Sequence, residues 1–316
     1  DPEDALGSQN PLILSQDYRW LFAVNAASNT ITMFEVLPNS LDRVATVPSG
    51  GEFPTSLTVH DNLLYVLNAG GRINIAGFTI DESARTLRYL SGSVYELGRT
   101  LSNRPGITES PGQVGFTPYG DRLVVTEKGA DEIHVFDLDA HGRPSARRIT
   151  PSLAPLPFGF SFSNTGRLIV AEPFGQQSLG SADAGAVSAY TIRPNGRLRF
   201  ARRSETVSNG QTTTCWVAAA PGSRWSYTTN NGASTVSLYR SRPGGRVLLQ
   251  NAVAGHTQLA PVDLTVVPTG DFLYTLNAGA GSISMFEITR STGALDLLGH
   301  IGGLPAEAGI VGIAAF

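Results

Sequence analysis

The sequence predicts an all-β fold, a β-propeller of repeated four-stranded blades, in a single domain spanning residues 1–316. Three observations predict it. Six hairpin segments recur along the chain, and further short strands flank them. The chain is rich in turn formers, with 35 Gly and 19 Pro, and only 16% of its residues are charged. Such a composition suits many short strands joined by tight turns.

Each hairpin segment has an apolar strand, a polar or Gly-rich turn and a second alternating strand. The segments are 21–36, 63–80, 123–138, 168–192, 225–240 and 272–288. A short apolar strand ending in a turn precedes each copy, and a strand such as LRYL (87–90) follows most of them. We therefore expect four strands per blade, called A to D in chain order.

The two ends of the chain bear on the number of blades. Residues 10–15 supply strand A of the first visible blade, and residues 309–316 resemble another strand A, aligned with 261–267. We therefore predict six full blades and one orphan strand. A seventh blade would be completed by strands preceding Asp1. The alternative is a closed six-bladed ring with one strand appended.

In a propeller, the start of strand A and the end of strand B lie on one face, at the mouth of the channel. The aligned strand B ends carry Asn25, Asn68, Glu127, Glu172, Asn230 and Asn277. The aligned strand A starts carry Ser56, Gln113, Gly159, Trp216 and Asp263. Asn commonly satisfies free backbone groups at such ends, so a structural role is expected for the four asparagines.

Glu127 and Glu172 depart from the Asn pattern in two adjacent blades, and we predict them as catalytic residues. Lys128, the one lysine of the chain, follows Glu127 at the same turn and is predicted to bind an anionic group. An ordinary turn cation is the alternative for Lys128.

The longest insertions, 91–112, 173–186, 203–214 and 250–260, are expected as loops on the same face. They supply polar side chains suited to orienting a ligand: Arg99, Arg104, Glu109, Gln211 and His256. The predicted substrate-binding residues are Lys128, Arg104, Gln113, Trp216, Asp263, His256 and Phe158. The aromatic residues Phe158, Phe160, Phe174 and Trp216 would line the ligand or plug the channel, and Cys215 is expected as a buried inert thiol.

Several classes of function lack support. A net charge of -3 and the lack of a long apolar run argue against nucleic-acid and membrane partners. Motifs of serine hydrolases, zinc proteases and nucleotide-binding proteins are missing. The five histidines fall at different repeat positions, so we predict no metal and no cofactor, with a site of mixed oxygen ligands as the alternative. The start at Asp1 indicates a mature or trimmed form, and compartment and oligomeric state stay open.

The segment PVDLTVVPTGDFLYTLNAGAGSISMFEI (261–288) has weaker copies at 9–36 and 54–80, and variants at 122–144 and 157–175. These repeats resemble the lactonase-family propellers, which include 6-phosphogluconolactonases of the propeller type and fungal 3-carboxy-cis,cis-muconate lactonizing enzymes. The resemblance implies a seven-bladed ring with small-molecule chemistry at the channel mouth, using His, Arg and Glu. No histidine of this chain aligns with a family motif.

The leading hypothesis is a lactonase-like hydrolase or cyclase acting on a small, anionic, sugar-derived or carboxylic lactone. Glu127 or Glu172 would be the general base, and Arg104 or Lys128 would hold the substrate anion. One alternative is a non-catalytic propeller module that binds a small molecule or a protein. Another is a metal-dependent propeller hydrolase.

Overall fold

The computed structural model describes residues 6–178, 180–200, 206–243 and 246–316. Within them the chain forms six antiparallel sheets, each built on a meander of four consecutive strands. Two 3-10 helices, Ala26–Ser28 and Lys128–Ala130, are the helical segments of these residues. The fold class is a β-propeller, as predicted, and the sheets are blades 1 to 6 in chain order.

The strand bounds follow the predicted repeats. Blade 1 contains β1 (Leu12–Leu14), β2 (Trp20–Asn25), β3 (Thr30–Leu37) and β4 (Ser40–Pro48); blade 2 contains β5 (Glu52–His60), β6 (Leu63–Gly70), β7 (Arg72–Asp81), β8 (Thr86–Tyr89) and β9 (Tyr95–Thr100). Blade 3 contains β10 (Gln113–Phe116), β11 (Arg122–Glu127), β12 (Glu132–Leu138) and β13 (Pro144–Pro151); blade 4 contains β14 (Phe160–Phe162), β15 (Leu168–Glu172), β16 (Ala186–Ile192), β17 (Leu198–Phe200) and β18 (Val207–Ser208). Blade 5 contains β19 (Thr214–Ala219), β20 (Trp225–Asn230), β21 (Thr235–Ser241) and β22 (Val247–His256); blade 6 contains β23 (Pro261–Val266), β24 (Phe272–Asn277), β25 (Ser282–Thr289) and β26 (Ala294–Ile301).

The chain packs as two compact units. The N-terminal unit comprises Leu6–Gly129 and Ile133–Ile149, and contains blades 1 and 2 and most of blade 3. The C-terminal unit comprises Ala130–Glu132 and the described part of Thr150–Phe316, and contains blades 4, 5 and 6. The single domain expected over residues 1–316 stays a prediction.

The six hairpins are confirmed, and each predicted segment matches strands B and C of one blade. The turns between strands A and B show why glycine recurs in them. Gly120 and Gly270 have φ of 68° and 79°, which a residue with a Cβ rarely adopts. Each donates its backbone N–H to the carbonyl three residues earlier, Thr117 at 2.9 Å and Val267 at 2.8 Å. The glycine therefore closes the turn that returns the chain to its sheet.

Apolar side chains of neighbouring blades pack together within each unit. In the N-terminal unit, Phe22 and Met33 of blade 1 form one fully buried cluster with Leu57 and Val66 of blade 2. In the C-terminal unit, strands of blades 4 and 5 share a cluster that includes Val217. A blade exposes apolar surface on both faces, so this packing between blades supplies the burial that one blade lacks.

Three of the expected loops contain strand. Residues 91–112 include β9, which pairs with β7, and 203–214 include β18, which pairs with β16, so strand D of these blades is split. Residues 201–205 lie outside the described residues. The prediction of a loop at 250–260 was wrong over most of that range, because β22 continues to His256, which pairs with Thr235. Pairing with strand C satisfies backbone groups that a loop would leave to water.

The prediction of an orphan strand at 309–316 was wrong, because the structure has no strand in this segment. A strand needs a neighbour that accepts its backbone hydrogen bonds, and this segment instead donates Ile313 N–H to the carboxylate of Asp263 at 3.3 Å. The described residues contain six blades, which confirms the six full blades predicted from the repeats. The strand expected within residues 10–15 is confirmed as β1.

Candidate functional site

The ends of the B strands lie where the repeat alignment predicted. Five of the aligned residues are the last residue of their strand, and Asn68 lies two residues before the end of β6. The asparagine amides bind strand C in a repeated way. Asn277 Nδ2 donates to Ser282 Oγ at 3.1 Å and to Ser284 Oγ at 2.8 Å. Asn25 and Asn230 make the equivalent pair of bonds, which supports the structural role expected for asparagine.

Glu127 takes this position in blade 3, within the N-terminal unit, and binds a guanidinium. Its side chain is 1% exposed, and its Oε1 accepts a hydrogen bond from Arg99 Nη1. Arg99 lies on β9, the split piece of strand D in blade 2, and its side chain is 29% exposed. The same Nη1 donates to the backbone carbonyl of Glu109 at 3.0 Å. The guanidinium compensates the charge of a carboxylate that would be costly to bury alone.

A glycine makes room for this pair. A Cβ on Gly129 would lie 2.6 Å from Arg99 Nη1 and 2.5 Å from the carbonyl oxygen of Glu109. Both distances are shorter than carbon approaches nitrogen or oxygen without repulsion. A side chain at position 129 would therefore push Arg99 away from Glu127.

Lys128 is also 1% exposed, and its Nζ donates to the carbonyl oxygen of Gly7. Gly7 belongs to a segment that runs along the starts of β5 and β10. Ser8 Oγ donates to the Thr55 carbonyl at 2.7 Å, and Gln9 N–H donates to the Gly112 carbonyl at 3.0 Å. The structure therefore places the ammonium group inside a contact with the N-terminal segment.

His134 is a residue that the sequence analysis did not select. The hydrogen bond from Leu138 N–H to the Asp121 carbonyl sets the register of β11 and β12. In this register His134 lies opposite Val125, and Val125 precedes Glu127 by two residues in β11. In blade 6 the equivalent position is Ser284, which binds Asn277. A buried histidine thus replaces a partner of the strand-end side chain. The seven-residue spacing from position 127 to 134 was the signal in the sequence.

The other predicted residues of the N-terminal unit are placed differently. Gln113 is buried at the start of β10, opposite Thr126. Arg104 is exposed, in the segment between β9 and β10.

Glu172 takes the strand-end position of blade 4, in the C-terminal unit, and is completely buried. Its Oε2 accepts a hydrogen bond from Ser188 Oγ at 2.7 Å. Burial raises the pKa of Glu172 to about 8, and the Ser188 hydroxyl and the nearby backbone of Ala154 only partly offset this effect. At neutral pH this carboxyl group is protonated.

Phe158 and Trp216 form a buried pair in the C-terminal unit. Their ring centroids lie 5.0 Å apart with the planes inclined at 64°. Both side chains are at most 3% exposed, and the neighbouring Cys215 is buried too. Within the C-terminal unit these rings are core residues rather than an exposed wall.

Asp263 and His256 have opposite environments. The carboxylate of Asp263 is buried and accepts backbone N–H groups from Leu264 at 2.8 Å and Ile313 at 3.3 Å. His256 is exposed at the end of β22.

Among the residues that the structure describes, no group of three or more His, Cys, Asp or Glu side chains is arranged to hold a metal ion. In the same residues, no helix has the length and hydropathy needed to span a bilayer.

Comparison with known proteins identifies the fold. No protein-family model matches the sequence, and no curated protein matches it either. Among solved structures, the chain is similar to a candidate 6-phosphogluconolactonase from Bacteroides fragilis NCTC 9343, with a TM-score of 0.74, 20% identity, and coverage of 95% of this chain and 86% of that one. It is similar to a periplasmic gluconolactonase from Pseudomonas aeruginosa, with a TM-score of 0.67, 18% identity, and coverage of 93% and 86%.

These similarities confirm the predicted resemblance to lactonase-type propellers at the level of fold. The same architecture also matches a chain of a nidogen/laminin complex, with a TM-score of 0.55, 14% identity, and coverage of 90% of this chain and 93% of that one. At such low sequence identities a shared fold does not specify the reaction, which depends on the side chains of the site.

Proposed function

We propose that the protein is a lactonase-like hydrolase or cyclase for a small anionic lactone, derived from a sugar or a carboxylic acid, with its chemistry around Glu127 and Arg99. One observation carries the proposal. A carboxylate paired with a partly exposed guanidinium stands where four other blades carry an asparagine. Fold neighbours named as lactonases support the reaction class.

In the proposed hydrolysis, the Glu127 carboxylate takes a proton from a water molecule, whose oxygen attacks the lactone carbonyl carbon. The ring C–O bond then breaks, and the leaving alkoxide takes the proton back from Glu127. In the cyclising direction, Glu127 takes the proton from the substrate hydroxyl group, whose oxygen attacks the carboxyl carbon of the substrate. The proton then passes from Glu127 to the departing hydroxide, which leaves as water. Glu172 is not assigned as the base, because its carboxyl group already carries a proton at neutral pH.

Arg99 is assigned to the substrate anion, together with the exposed Arg104 that was predicted for this role. An anion that binds Arg99 competes with Glu127 for the guanidinium, which releases the carboxylate for proton transfer. Arg99 therefore couples substrate binding to the availability of the base. Lys128 is assigned to holding the N-terminal segment through Gly7.

The proposal is tested by hydrolysis of 6-phosphogluconolactone and gluconolactone, measured above the spontaneous rate. We expect Glu127→Gln to lower kcat by about 100-fold or more, the usual contribution of a general base. Glu287→Gln, on an exposed strand position, is the matched control. If Glu127→Gln hydrolyses both lactones at the wild-type rate while folding normally, the assignment of the base is wrong.

Arg99→Lys keeps the charge but loses the planar fork. We expect KM to rise about tenfold for the phosphorylated lactone and much less for gluconolactone. Equal changes in both KM values would contradict a role in anion binding.

A second candidate function is a non-catalytic binding module, which the burial of Glu127 and Lys128 favours. If no lactone is hydrolysed and pull-down recovers a stable protein partner, the binding function replaces the lactonase function.

A further inference from the structure

The arginines of this chain are unevenly distributed. Between Asp183 and Asp263 the sequence carries nine of its 23 basic residues and one of its 26 acidic residues, which leaves 14 basic and 25 acidic residues for the rest. This stretch covers strands C and D of blade 4 and all of blade 5. A strongly basic region is therefore embedded in an acidic chain.

Five of these arginines lie at turns of the C-terminal unit, and we call them the arginine edge: Arg193, Arg197, Arg224, Arg242 and Arg246. All five are exposed. Two flank the turn from β16 to β17, two flank the turn from β21 to β22, and one lies in the turn from β19 to β20. In an antiparallel meander, the A–B and C–D turns lie at the same end of the sheet.

Backbone contacts join these turns. The carbonyl of Arg224 accepts the N–H of Ser241 at 2.8 Å, which ties the two turns of blade 5 together. Blades 4 and 5 also lie side by side, because Gly159 N–H donates to the Cys215 carbonyl at 3.0 Å and Ala219 N–H donates to Ser161 Oγ at 3.1 Å. Their A strands thus run in the same direction, and the basic turns of both blades fall at the same end.

Within the described part of the chain, no arginine of this edge forms an ion pair with a carboxylate. Arginines of the N-terminal unit behave differently, and the following are paired with Asp or Glu: Arg19, Arg72, Arg85, Arg88, Arg99, Arg122, Arg143 and Arg148. Like charges gathered at one edge repel one another. An anionic partner would remove that repulsion.

A groove of about 450 Å³ opens beside Arg224. Its lining comes from turns of the C-terminal unit, including Pro221, Ser223, Thr269 and Ile288. The groove offers backbone and hydroxyl groups next to the guanidinium of Arg224, which has no carboxylate partner among the described residues. It therefore has room for an extended peptide segment of a partner beside the arginine edge.

We propose that the arginine edge binds an acidic segment of a partner protein. Guanidinium groups match carboxylates through two parallel hydrogen bonds. Nucleic acids and anionic membranes favour a broad positive surface, whereas this chain has a net charge of -3 and its excess of arginine is confined to one stretch, which matches a short acidic segment. The binding does not depend on the lactonase activity.

The test uses the whole chain and a fluorescein-labelled decapeptide of alternating Asp and Glu, with an Asn/Gln decapeptide as the uncharged control. We expect anisotropy to show binding of the acidic peptide alone, and binding that weakens steeply from low to high salt. The double variants Arg242→Glu/Arg246→Glu and Arg193→Glu/Arg197→Glu should each weaken it by about tenfold. Arg43→Glu, an exposed arginine of the N-terminal unit, is the matched control and should change it less than about twofold.

Three outcomes overturn the proposal. The acidic peptide fails to bind, or both double variants bind it as the wild type does. In the third, a single-stranded oligonucleotide or vesicles of anionic lipid bind the same arginines more tightly than the peptide does.

Discussion

Burial of Glu172 makes the stability of this protein depend on pH in a predictable direction. The pKa of its carboxyl group is raised from 4.5 to about 8 because the side chain is removed from water. Between these values the native state keeps the proton while the unfolded state loses it. The contribution of this group to stability is therefore fully present below pH 4.5 and declines as pH rises towards about 8.

The perturbation is Glu172→Gln, which keeps the shape and an acceptor for Ser188 but cannot ionise. Each unit of pH in this window costs the wild type about 1.4 kcal/mol of unfolding free energy relative to the variant. From pH 5 to pH 8 the difference between the two proteins should therefore change by about 4 kcal/mol in favour of the variant.

The assay is urea unfolding of both proteins at pH 5, 6, 7 and 8, with the free energies extrapolated to water. Glu287→Gln, at an exposed position of β25, is the control, and its difference from wild type should be the same at every pH. A Glu172→Gln difference that does not change with pH would refute the reasoning from burial.

Further predictions concern single contacts, and for each the unfolding free energy is measured by urea unfolding at pH 7. Arg99→Ala should cost about 3 kcal/mol or more, because it leaves the Glu127 carboxylate buried without its cation, and adding Glu127→Gln should recover much of the loss. Asn277→Ala should cost about 1–3 kcal/mol by removing the two hydrogen bonds that the amide donates to serine hydroxyls of β25, so an unchanged midpoint would contradict the structural role of asparagine. Tyr227→Phe should cost about 1 kcal/mol through the lost 2.9 Å bond to a backbone carbonyl, and a larger loss would point to repacking. Leu57→Ala should cost about 2–5 kcal/mol because the side chain is completely buried between two blades.

Local patterns in the sequence predicted the blades because their cause is local. Alternation of apolar and polar residues, with glycine at turns such as the one at Gly270, defines a hairpin whatever surrounds it. The repeat then aligned the strand ends, so Glu127 and Glu172 were located correctly at the ends of β11 and β15. The strand predicted at residues 309–316 is absent, because an apolar segment becomes a strand only if a neighbour pairs with it.

The chemistry of those positions could not be inferred in the same way. Arg99 and Glu127 are 28 residues apart, and their pairing depends on how the split strand D of blade 2 packs against blade 3. Lys128 reaches Gly7 across 121 residues, and no periodicity reports such a contact. His134 was not predicted as a site residue, because its position relative to Glu127 depends on the register of β11 and β12. A backbone hydrogen bond between these strands fixes that register.

The sequence by itself determined the class of fold, the hairpins and the places where strand-end side chains stand, since these follow from short-range periodicity and turn chemistry. Only the tertiary structure decided which of those side chains are charged. It set a guanidinium beside Glu127 and a serine hydroxyl beside the buried Glu172. The physical reason is that the free energy of a charge depends on the water and partners around it, and both are brought by residues distant in the chain.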